Sequence, residues 1–328
     1  MSLSIRRAFV FATLFALAGC GGTTGQSSLA PGAGSFMANR LTVPAGASFS
    51  VVPHAVRTAG YPTQKSLLFE SDGSNNTVNI YQTSQLAKNP PPIATITEPS
   101  GGCPYQMALD NKKTLFLTDN CLSQIEEYPK GSTTLRTTIT NGISFPLGVA
   151  IDQNQTLYVR VHPGTIQEYA AGSMKPTKTI TGDLSEAFGL SLDSSGNLYI
   201  ADPGLYGKPA VFELPAGGSS VQNLHLQGLQ EPIQTAVDQK TGFLWVTDGT
   251  GNKVNVYQFG STTPVETIAG AGIPYSVTVQ NRGRLDGMAA YGDLDSHSVY
   301  LFKPGMYTSF ATLSGTTGKP TGLLMSKP

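Results

Sequence analysis

Carboxylates recur at equivalent places along the sequence, and a ring of carboxylates could ligate a divalent cation. Five of them each end a short apolar run: Asp72, Asp119, Asp202, Asp248 and Asp293. A repeated Asp in a repeated turn more often accepts hydrogen bonds from the backbone N–H groups of that turn. We therefore expect these five residues to be structural turn residues, and we expect no metal ligand among them.

One turn departs from this pattern and has no Asp. It reads Arg160-Val-His162-Pro-Gly164, and His297 falls in the equivalent turn of a later segment. A histidine can contact a ligand or exchange a proton near neutral pH, although a single loop histidine is usually only solvated. The four histidines, at positions 54, 162, 225 and 297, do not have the spacing of a zinc site.

Aromatic and acidic side chains precede several of the apolar runs, and their types suit ligand binding. Aromatic rings can stack on sugars or clamp peptides, but they can also fill gaps between packed elements. Together with the departing turn they give the candidate ligand face: Tyr105, Phe145, Arg160, His162, Phe188, Glu186, Glu231, Tyr275 and His297. The sequence has no G-x-S-x-G motif, phosphate-binding loop or Cys/His pair, so we expect no catalytic residue.

The charge of the chain argues against two classes of function. The 328 residues include 21 basic and 21 acidic side chains, and charged residues make up only 13% of the total. A nucleic-acid-binding protein needs a basic footprint, and a protein that binds membranes by charge needs clustered Lys and Arg. We therefore expect no nucleic-acid partner.

The N-terminus predicts export and a lipid anchor. Two arginines precede the apolar run 8–18, which is too short to span a membrane and fits a signal peptide. Leu17-Ala-Gly-Cys20 then resembles the lipobox of bacterial lipoproteins. The resemblance implies that residues 1–19 are removed and that Cys20 is lipidated. An ordinary secretory signal with a chance cysteine is the alternative.

The residues after Cys20 are expected to connect the anchor to a folded domain. The stretch 20–40 begins with an uncharged run rich in Gly, Ser and Thr, which predicts a flexible tether. Residues 41–65 are expected to pack on the domain or to lead into it. The anchor implies a membrane as partner and a place in the bacterial cell envelope outside the cytoplasm. That place is the outer membrane, its periplasmic side or the cell surface.

The rest of the chain repeats itself. Alternating apolar runs recur at 104–110, 146–152, 187–193, 232–238, 274–280 and 320–326, with starts 42, 41, 45, 42 and 46 residues apart. Three further short runs follow each of the first five, and three precede the first. Four short strands per repeat of this length are typical of one blade of a β-propeller. The sequence predicts an all-β, six-bladed β-propeller at 66–328, closed by pairing of 321–325 beside 67–71.

The repeats resemble those of NHL-type propellers, as in Pro146-Leu-Gly-Val-Ala-Ile-Asp152 and Gly196-Asn-Leu-Tyr-Ile-Ala-Asp202. They are also similar to those of NHL-like and YVTN-like bacterial surface lipoproteins. With the lipobox and no coherent catalytic set, this favours a non-catalytic binding or scaffold protein for a protein or carbohydrate ligand, without a cofactor.

A second resemblance leaves a metal-dependent enzyme as the alternative. Glu186 and Glu231 are similar to the Glu that begins an inner strand in SMP-30/gluconolactonase-like hydrolases. This resemblance implies a hydrolase or lyase with Ca²⁺ or another divalent ion in the central channel. The Asn and Asp ligands of that family have no clear match in this sequence.

Cys103 and Cys121 are the two thiols that remain after lipidation, and export makes their oxidation possible. They flank two strands that we expect to form a hairpin around residues 110–114. Pairing Leu109 with Leu115 places the cysteines opposite each other, because both pairs of residue numbers sum to 224. Opposed residues in a hairpin lie within disulfide reach. The sequence therefore predicts a disulfide that staples the candidate ligand face.

Overall fold

The computed structural model describes residues 60–204, 208–281, 283, 285–314 and 318–326. These residues form six four-stranded antiparallel sheets, which confirms the expected all-β, six-bladed β-propeller. The predicted signal peptide, Cys20, the tether and residues 41–59 of the extension lie outside the described residues. Within those residues, no helix has the length and apolar character that crossing a membrane requires.

The strands of each blade follow one another from the channel outward. Blade 1 contains Pro320–Ser326 (β24), Leu67–Asp72 (β1), Thr77–Gln82 (β2) and Ala94–Thr97 (β3); blade 2 contains Pro104–Leu109 (β4), Leu115–Asp119 (β5), Gln124–Tyr128 (β6) and Thr137–Ile139 (β7); blade 3 contains Val149–Ile151 (β8), Leu157–Val161 (β9), Thr165–Tyr169 (β10) and Lys178–Ile180 (β11). A 3-10 helix, Thr83–Lys88, lies between β2 and β3.

The other three blades have the same order. Blade 4 contains Leu190–Leu192 (β12), Leu198–Asp202 (β13), Ala210–Leu214 (β14) and Gln222–Asn223 (β15); blade 5 contains Pro232–Asp238 (β16), Phe243–Asp248 (β17), Lys253–Gln258 (β18) and Glu266–Ala269 (β19); blade 6 contains Pro274–Val279 (β20), Ala289–Asp293 (β21), Ser298–Phe302 (β22) and Ala311–Ser314 (β23).

The C-terminal strand closes the ring, as the repeat count predicts. β24 is the innermost strand of blade 1 and pairs antiparallel with β1. Leu68 lies opposite Met325, and Phe69 lies opposite Leu324. The first blade therefore joins the two ends of the repeat region, and this pairing covers an edge of β1 that would otherwise be open to another chain.

The core consists of six apolar clusters, each at the junction between two neighbouring blades. β13 shows how one strand serves two junctions. Leu198 and Ile200 pack against blade 3, whereas Tyr199 packs against blade 5. Since successive side chains of a strand point to opposite faces, the alternation seen in the sequence supplies both junctions of a blade.

Hydroxyl groups connect neighbouring blades where the backbones do not pair. The residue before the turn Asp is Ser or Thr in three blades. Its hydroxyl donates to a carbonyl at the inner strand of the next blade: Thr118 Oγ1 to Leu147 O at 3.2 Å, Thr247 Oγ1 to Tyr275 O at 3.1 Å, and Ser71 Oγ to Tyr105 O. These bonds satisfy carbonyl groups that the four-stranded sheets leave free.

The described end of the N-terminal extension packs on blades 1 and 2. Gly60 forms an isolated β-bridge with Ser132, and the Tyr61 backbone N–H donates to Gly131 O at 2.9 Å. The ring of Tyr61 contacts that of Phe69 edge to face, with centroids 5.5 Å apart. Residues 60 and 61 are therefore part of the packed propeller.

Candidate functional site

Three aromatic rings of the candidate ligand face meet at one end of the channel. Tyr105 lies in β4, Tyr275 lies in β20, and Phe188 precedes β12. The ring centroids of Tyr105 and Tyr275 are 6.3 Å apart, and those of Phe188 and Tyr275 are 6.5 Å apart. Because the residues come from alternate blades, the rings meet across the channel and do not fill the gap between two neighbours. Burial raises the pKa of both tyrosine hydroxyls.

Arg160 forms a buried ion pair beside these rings. Its Nη2 atom lies 3.2 Å from Glu186 Oε1, and its Nη1 atom donates to Phe145 O at 3.3 Å. The guanidinium carbon lies 5.7 Å from the centroid of Phe188. The Arg160 side chain is only 1% exposed. Burial lowers the pKa of its guanidinium, and the adjacent Glu186 counteracts that effect.

The strand register explains why an arginine stands at this position. Arg160 lies opposite Ile166 in blade 3, as Thr118 lies opposite Ile125 in blade 2. Arg160 thus takes the place of the hydroxyl residue that reaches the next blade. It links blade 3 to Glu186 at the start of blade 4, so the two charges bind each other inside the protein.

The exposed part of the candidate ligand face lies above this ion pair. Phe145 is 51% exposed, and its ring lies edge to face on His162 with centroids 6.2 Å apart. His162 is 45% exposed, and its Nδ1 atom lies 3.7 Å from Glu186 Oε1. Leu122, which is also exposed, precedes Ser123, whose Oγ accepts a hydrogen bond from the Phe145 N–H at 3.3 Å. We call Leu122, Phe145 and His162 the upper patch.

The two remaining residues of the candidate ligand face lie in other loops. Glu231 Oε2 accepts the N–H of Thr250 at 2.9 Å, and its charge contributes to the raised pKa of Tyr275. His297 lies between β21 and β22 with a left-handed φ of 51°. The structure therefore joins seven of the nine predicted residues by direct contacts and brings Glu231 close to Tyr275.

A cavity of about 540 Å³ occupies the channel itself. The inner strands form its wall, including the side chains of Gln106 and Gln234, and the residues at its other end include Asp110, Asp152 and Asp193. These aspartates follow the inner strands, whereas the three aromatic rings lie near their beginnings. The cavity thus extends toward the face opposite the candidate ligand face. A divalent ion in the channel stays a prediction.

The five turn aspartates each accept backbone N–H groups from two separate segments, namely the loop that enters the blade and the turn that follows the Asp. The donors are Gly318, Lys319, Ser74 and Asn75 for Asp72; Cys103 and Leu122 for Asp119; Ser185, Glu186 and Gly204 for Asp202; Gln230, Glu231 and Gly251 for Asp248; and Gly272, Asp295 and Ser296 for Asp293. Each carboxylate therefore fastens one loop to the next. In blade 3 Val161 takes this position.

The predicted disulfide between Cys103 and Cys121 is confirmed, with Cα atoms 5.2 Å apart. The register expected for it is wrong at this point. A bulge after Pro104 shifts the pairing by one residue, so Pro104 pairs with Asp119 and the Cys103 carbonyl accepts the N–H of Asn120. The cysteines are therefore diagonal neighbours, and the distance between their Cα atoms is still within disulfide reach.

Removing the disulfide should destabilise the propeller. The bond closes a loop with a sequence separation of 18 residues, for which the chain-entropy model gives about 3 kcal/mol. The double variant Cys103→Ser, Cys121→Ser should therefore unfold at a lower urea concentration than the oxidised protein. Reductant should lower the midpoint of the wild type and leave that of the double variant unchanged. Equal midpoints for the oxidised protein and the double variant would contradict this expectation.

A cluster of three buried carboxylates lies at the junction of blades 1 and 2. Glu98 follows β3, Asp119 ends β5, and Glu126 lies in β6. One oxygen of each lies within 4.8 Å of the other two. The hydroxyl of Tyr128 donates to Glu126 Oε2 at 2.5 Å and lies 3.3 Å from Glu98 Oε1, and Gln124 Nε2 donates to Glu126 Oε1 at 2.8 Å. Among the described residues this is the one group of three potential metal ligands within mutual reach.

The electrostatics of this cluster follow from its burial. Burial first, and then the charge of Glu126, raise the pKa of Glu98 to about 9. Burial also raises the pKa of Asp119, although backbone N–H groups oppose that effect, and it raises the pKa of Tyr128. Sequence reasoning missed Glu98 and Glu126 because they do not belong to the repeat. Their departure from the residues at equivalent places was the signal that could have found them.

Comparison with known proteins gives similarity of fold. No family model matches the chain, and no curated protein matches it. A chain in the crystal structure of a nidogen/laminin complex is similar, with a TM-score of 0.66, 17% identity, and coverage of 79% of this chain and 98% of that chain. A protein of unknown function from Bacteroides caccae gives a TM-score of 0.60 at 12% identity, with coverage of 80% and 100%. At these identities the likeness extends to the β-propeller fold alone.

Proposed function

We propose that this protein is a lipid-anchored β-propeller outside the cytoplasm, related to NHL-like repeats, that binds a ligand without transforming it. The upper patch of Leu122, Phe145 and His162 is the proposed contact surface. The main support for this proposal is that Phe145 is exposed and has an unfavourable backbone conformation.

Phe145 is held in a costly conformation with its ring in solvent. Its φ is 43°, in the left-handed region, where a non-glycine residue costs on the order of 1–3 kcal/mol. The Ser123 hydroxyl oxygen and the ring of His162 hold it in place. Burial of Phe145 does not offset this cost, because about half of the residue is exposed. Aromatic side chains presented in this way are common contacts at binding surfaces.

The chemistry of the patch suits a protein ligand better than a sugar. Sugar binding needs free polar groups beside an aromatic ring, but Arg160, which contacts Phe145, and Glu186, which lies close to His162, are bound to each other. Leu122, which precedes Ser123 in the chain, adds an exposed aliphatic side chain to the patch. The similar chain in the nidogen/laminin structure comes from a complex between two proteins, which agrees with this use of the fold.

The metal-dependent hydrolase alternative has less support. It would need Glu186 as a ligand, and the Arg160 guanidinium lies 3.2 Å from the Glu186 carboxylate. A cation at Glu186 would have to displace that guanidinium or lie beside it, which like-charge repulsion disfavours.

Photo-crosslinking in intact cells tests the proposed surface. Benzoylphenylalanine placed at position 145 should form an adduct, whereas the same group at Met306, which is 57% exposed, should not. His162→Ala should lower the yield at position 145. Mass spectrometry of the digested adduct separates a protein ligand from a carbohydrate one, since only the first carries a peptide of a second protein linked to position 145. Equal adduct yields at positions 145 and 306 would refute the proposal.

The anchor has its own test. Cys20→Ala removes the only thiol that the lipobox offers for lipidation, so the variant should move from the membrane fraction to the soluble fraction. Cell fractionation and immunoblotting measure this directly. The Cys103→Ser, Cys121→Ser variant should stay with the membranes. Membrane attachment of the Cys20→Ala protein would show that the lipid anchor is wrongly assigned.

A further inference from the structure

Two acids at the junction of blades 1 and 2 have neutral counterparts in the other blades. Glu126 pairs with Leu117 in the register that pairs Asn79 with Glu70 and Asn255 with Val246. The asparagines at these equivalent places are uncharged. Glu126 therefore adds a carboxylate that the architecture of a blade does not require.

Glu98 is the second such addition. Its backbone N–H donates to Asn76 O at 3.0 Å, just as the N–H of Gly270 donates to Asn252 O at 2.9 Å between blades 5 and 6. A glycine thus serves at the place where this junction has a glutamate. Two extra acids, contributed by different blades, converge on the turn carboxylate of Asp119.

The equivalent tyrosines confirm that this junction differs from the others. Tyr169 in blade 3 and Tyr257 in blade 5 donate their hydroxyl groups to the backbone carbonyls of Asn141 and Gln227, at 2.7 and 2.6 Å. Tyr128 in blade 2 donates to a carboxylate instead. The carboxylates have replaced the ordinary carbonyl contact of the blade junction.

One buried oxygen atom points to a missing ligand. Glu98 is only 6% exposed, yet its Oε2 atom is buried without a hydrogen-bond partner. In addition, a Cβ atom at Gly102 would lie 2.9 Å from Glu98 Cβ and 3.3 Å from Asp119 Oδ2, so only a glycine lets the chain pass this close to both acids. A buried acceptor without a partner is costly, and within the described residues none of the three carboxylates has a cationic side chain in an ion pair.

We propose that Glu98, Asp119 and Glu126 bind a calcium ion at the junction of blades 1 and 2. Calcium prefers oxygen ligands at about 2.3–2.6 Å, so ligand atoms on opposite sides of the ion lie up to about 5 Å apart. The three carboxylate oxygens, all within 4.8 Å of one another, fit this range. The ion would hold together the loop after β3, the end of β5 and the middle of β6. This inference does not depend on the proposed ligand-binding function.

Calcium binding to the full chain, purified in detergent and stripped with a chelator, is the direct test. Titration with Ca²⁺ alone should give one ion per chain, with a Kd in the range of about 10⁻⁵ to 10⁻³ M. The Tm should rise by about 5 °C at 100 times the Kd. Mg²⁺ should bind more weakly, because it demands shorter and more regular coordination.

Variants at the cluster locate the ion. Glu126→Asn, which introduces the residue found at this place in blades 1 and 5, should weaken Ca²⁺ binding at least about tenfold, and so should Glu98→Gln. Gly102→Ala should push Glu98 away from the other two acids, because the added Cβ would lie only 2.9 Å from Glu98 Cβ, and should therefore weaken binding without removing a ligand. Glu127→Gln changes the next acid in β6, which pairs with Arg136, and should bind Ca²⁺ normally.

Three results would overturn the proposal. They are no saturable Ca²⁺ binding by the wild type up to about 10 mM, unchanged affinity in Glu98→Gln and Gly102→Ala, or binding of Mg²⁺ as tight as that of Ca²⁺. If Glu126→Asn fails to fold, Glu98→Gln and Gly102→Ala decide. Because none of these measurements involves the upper patch, failure here is distinguishable from failure of the proposed function.

Discussion

Truncation of the chain after Lys319 is expected to lower the free energy of unfolding by more than about 5 kcal/mol, which is the whole stability of many domains. The deletion removes β24, the innermost strand of blade 1. Leu323 and Met325 of this strand are buried in the cluster between blades 6 and 1. Loss of one such side chain commonly costs about 2–5 kcal/mol, and the truncation removes both.

Hydrogen bonds to three blades would be lost with the strand. The Ser276 hydroxyl donates to Pro320 O at 2.8 Å, and the Thr321 hydroxyl donates to Pro104 O at 2.8 Å. Within blade 1, the pairing of β24 with β1 would disappear and leave the edge of β1 exposed. We therefore expect the truncated protein to aggregate as well as to unfold more easily.

Urea unfolding monitored by the fluorescence of Trp245 measures this effect. The matched control ends at Ser326, which keeps β24 and removes only the last two residues. Its midpoint should equal that of the full chain. A protein ending at Lys319 with the same midpoint as the control would show that β24 does not close the ring.

The fold could be predicted from the sequence because the same pattern of four apolar runs occurs in every repeat. A run such as 320–326 would be ambiguous by itself, but its likeness to 104–110 identifies it as an inner strand. The count of runs then leaves the first blade without an inner strand, and the C-terminal run fills that place. Asp119 and the equivalent aspartates could likewise be recognised as turn residues. A side chain that binds backbone N–H groups of a turn is expected wherever that turn is repeated.

The details that escaped prediction depend on contacts between blades. Thr118 looks like an ordinary strand residue, and only the placement of blade 3 reveals that its hydroxyl bonds Leu147 O. Glu98 and Glu126 come together because their blades are neighbours, which residue spacing does not express. The bulge after Pro104 shifted the register by one residue, since proline lacks the N–H that the regular ladder needs.

Arg160 illustrates the same limit. Its place in a turn without Asp predicted a ligand contact on an exposed face, but its side chain is buried against Glu186. Arg160 Nε and Glu186 Oε2 are buried without hydrogen-bond partners. The attraction between the two charges must therefore compensate for much of the cost of burying them. The break in the repeat therefore marks a charged link between blades 3 and 4 below the upper patch.

Removing one partner of this ion pair should cost about 3–5 kcal/mol of unfolding free energy, because the other charge stays buried without compensation. Glu186→Gln and Arg160→Met should each lower the urea midpoint strongly. The double variant should lose much less than the sum of the two, since it leaves no buried charge unpaired. Glu168→Gln is a suitable control, because it removes the charge of the partly exposed pair with Lys178 and should cost less than about 1 kcal/mol. Additive losses in the double variant, or a loss for Glu186→Gln as small as that of the control, would contradict a buried link between Arg160 and Glu186.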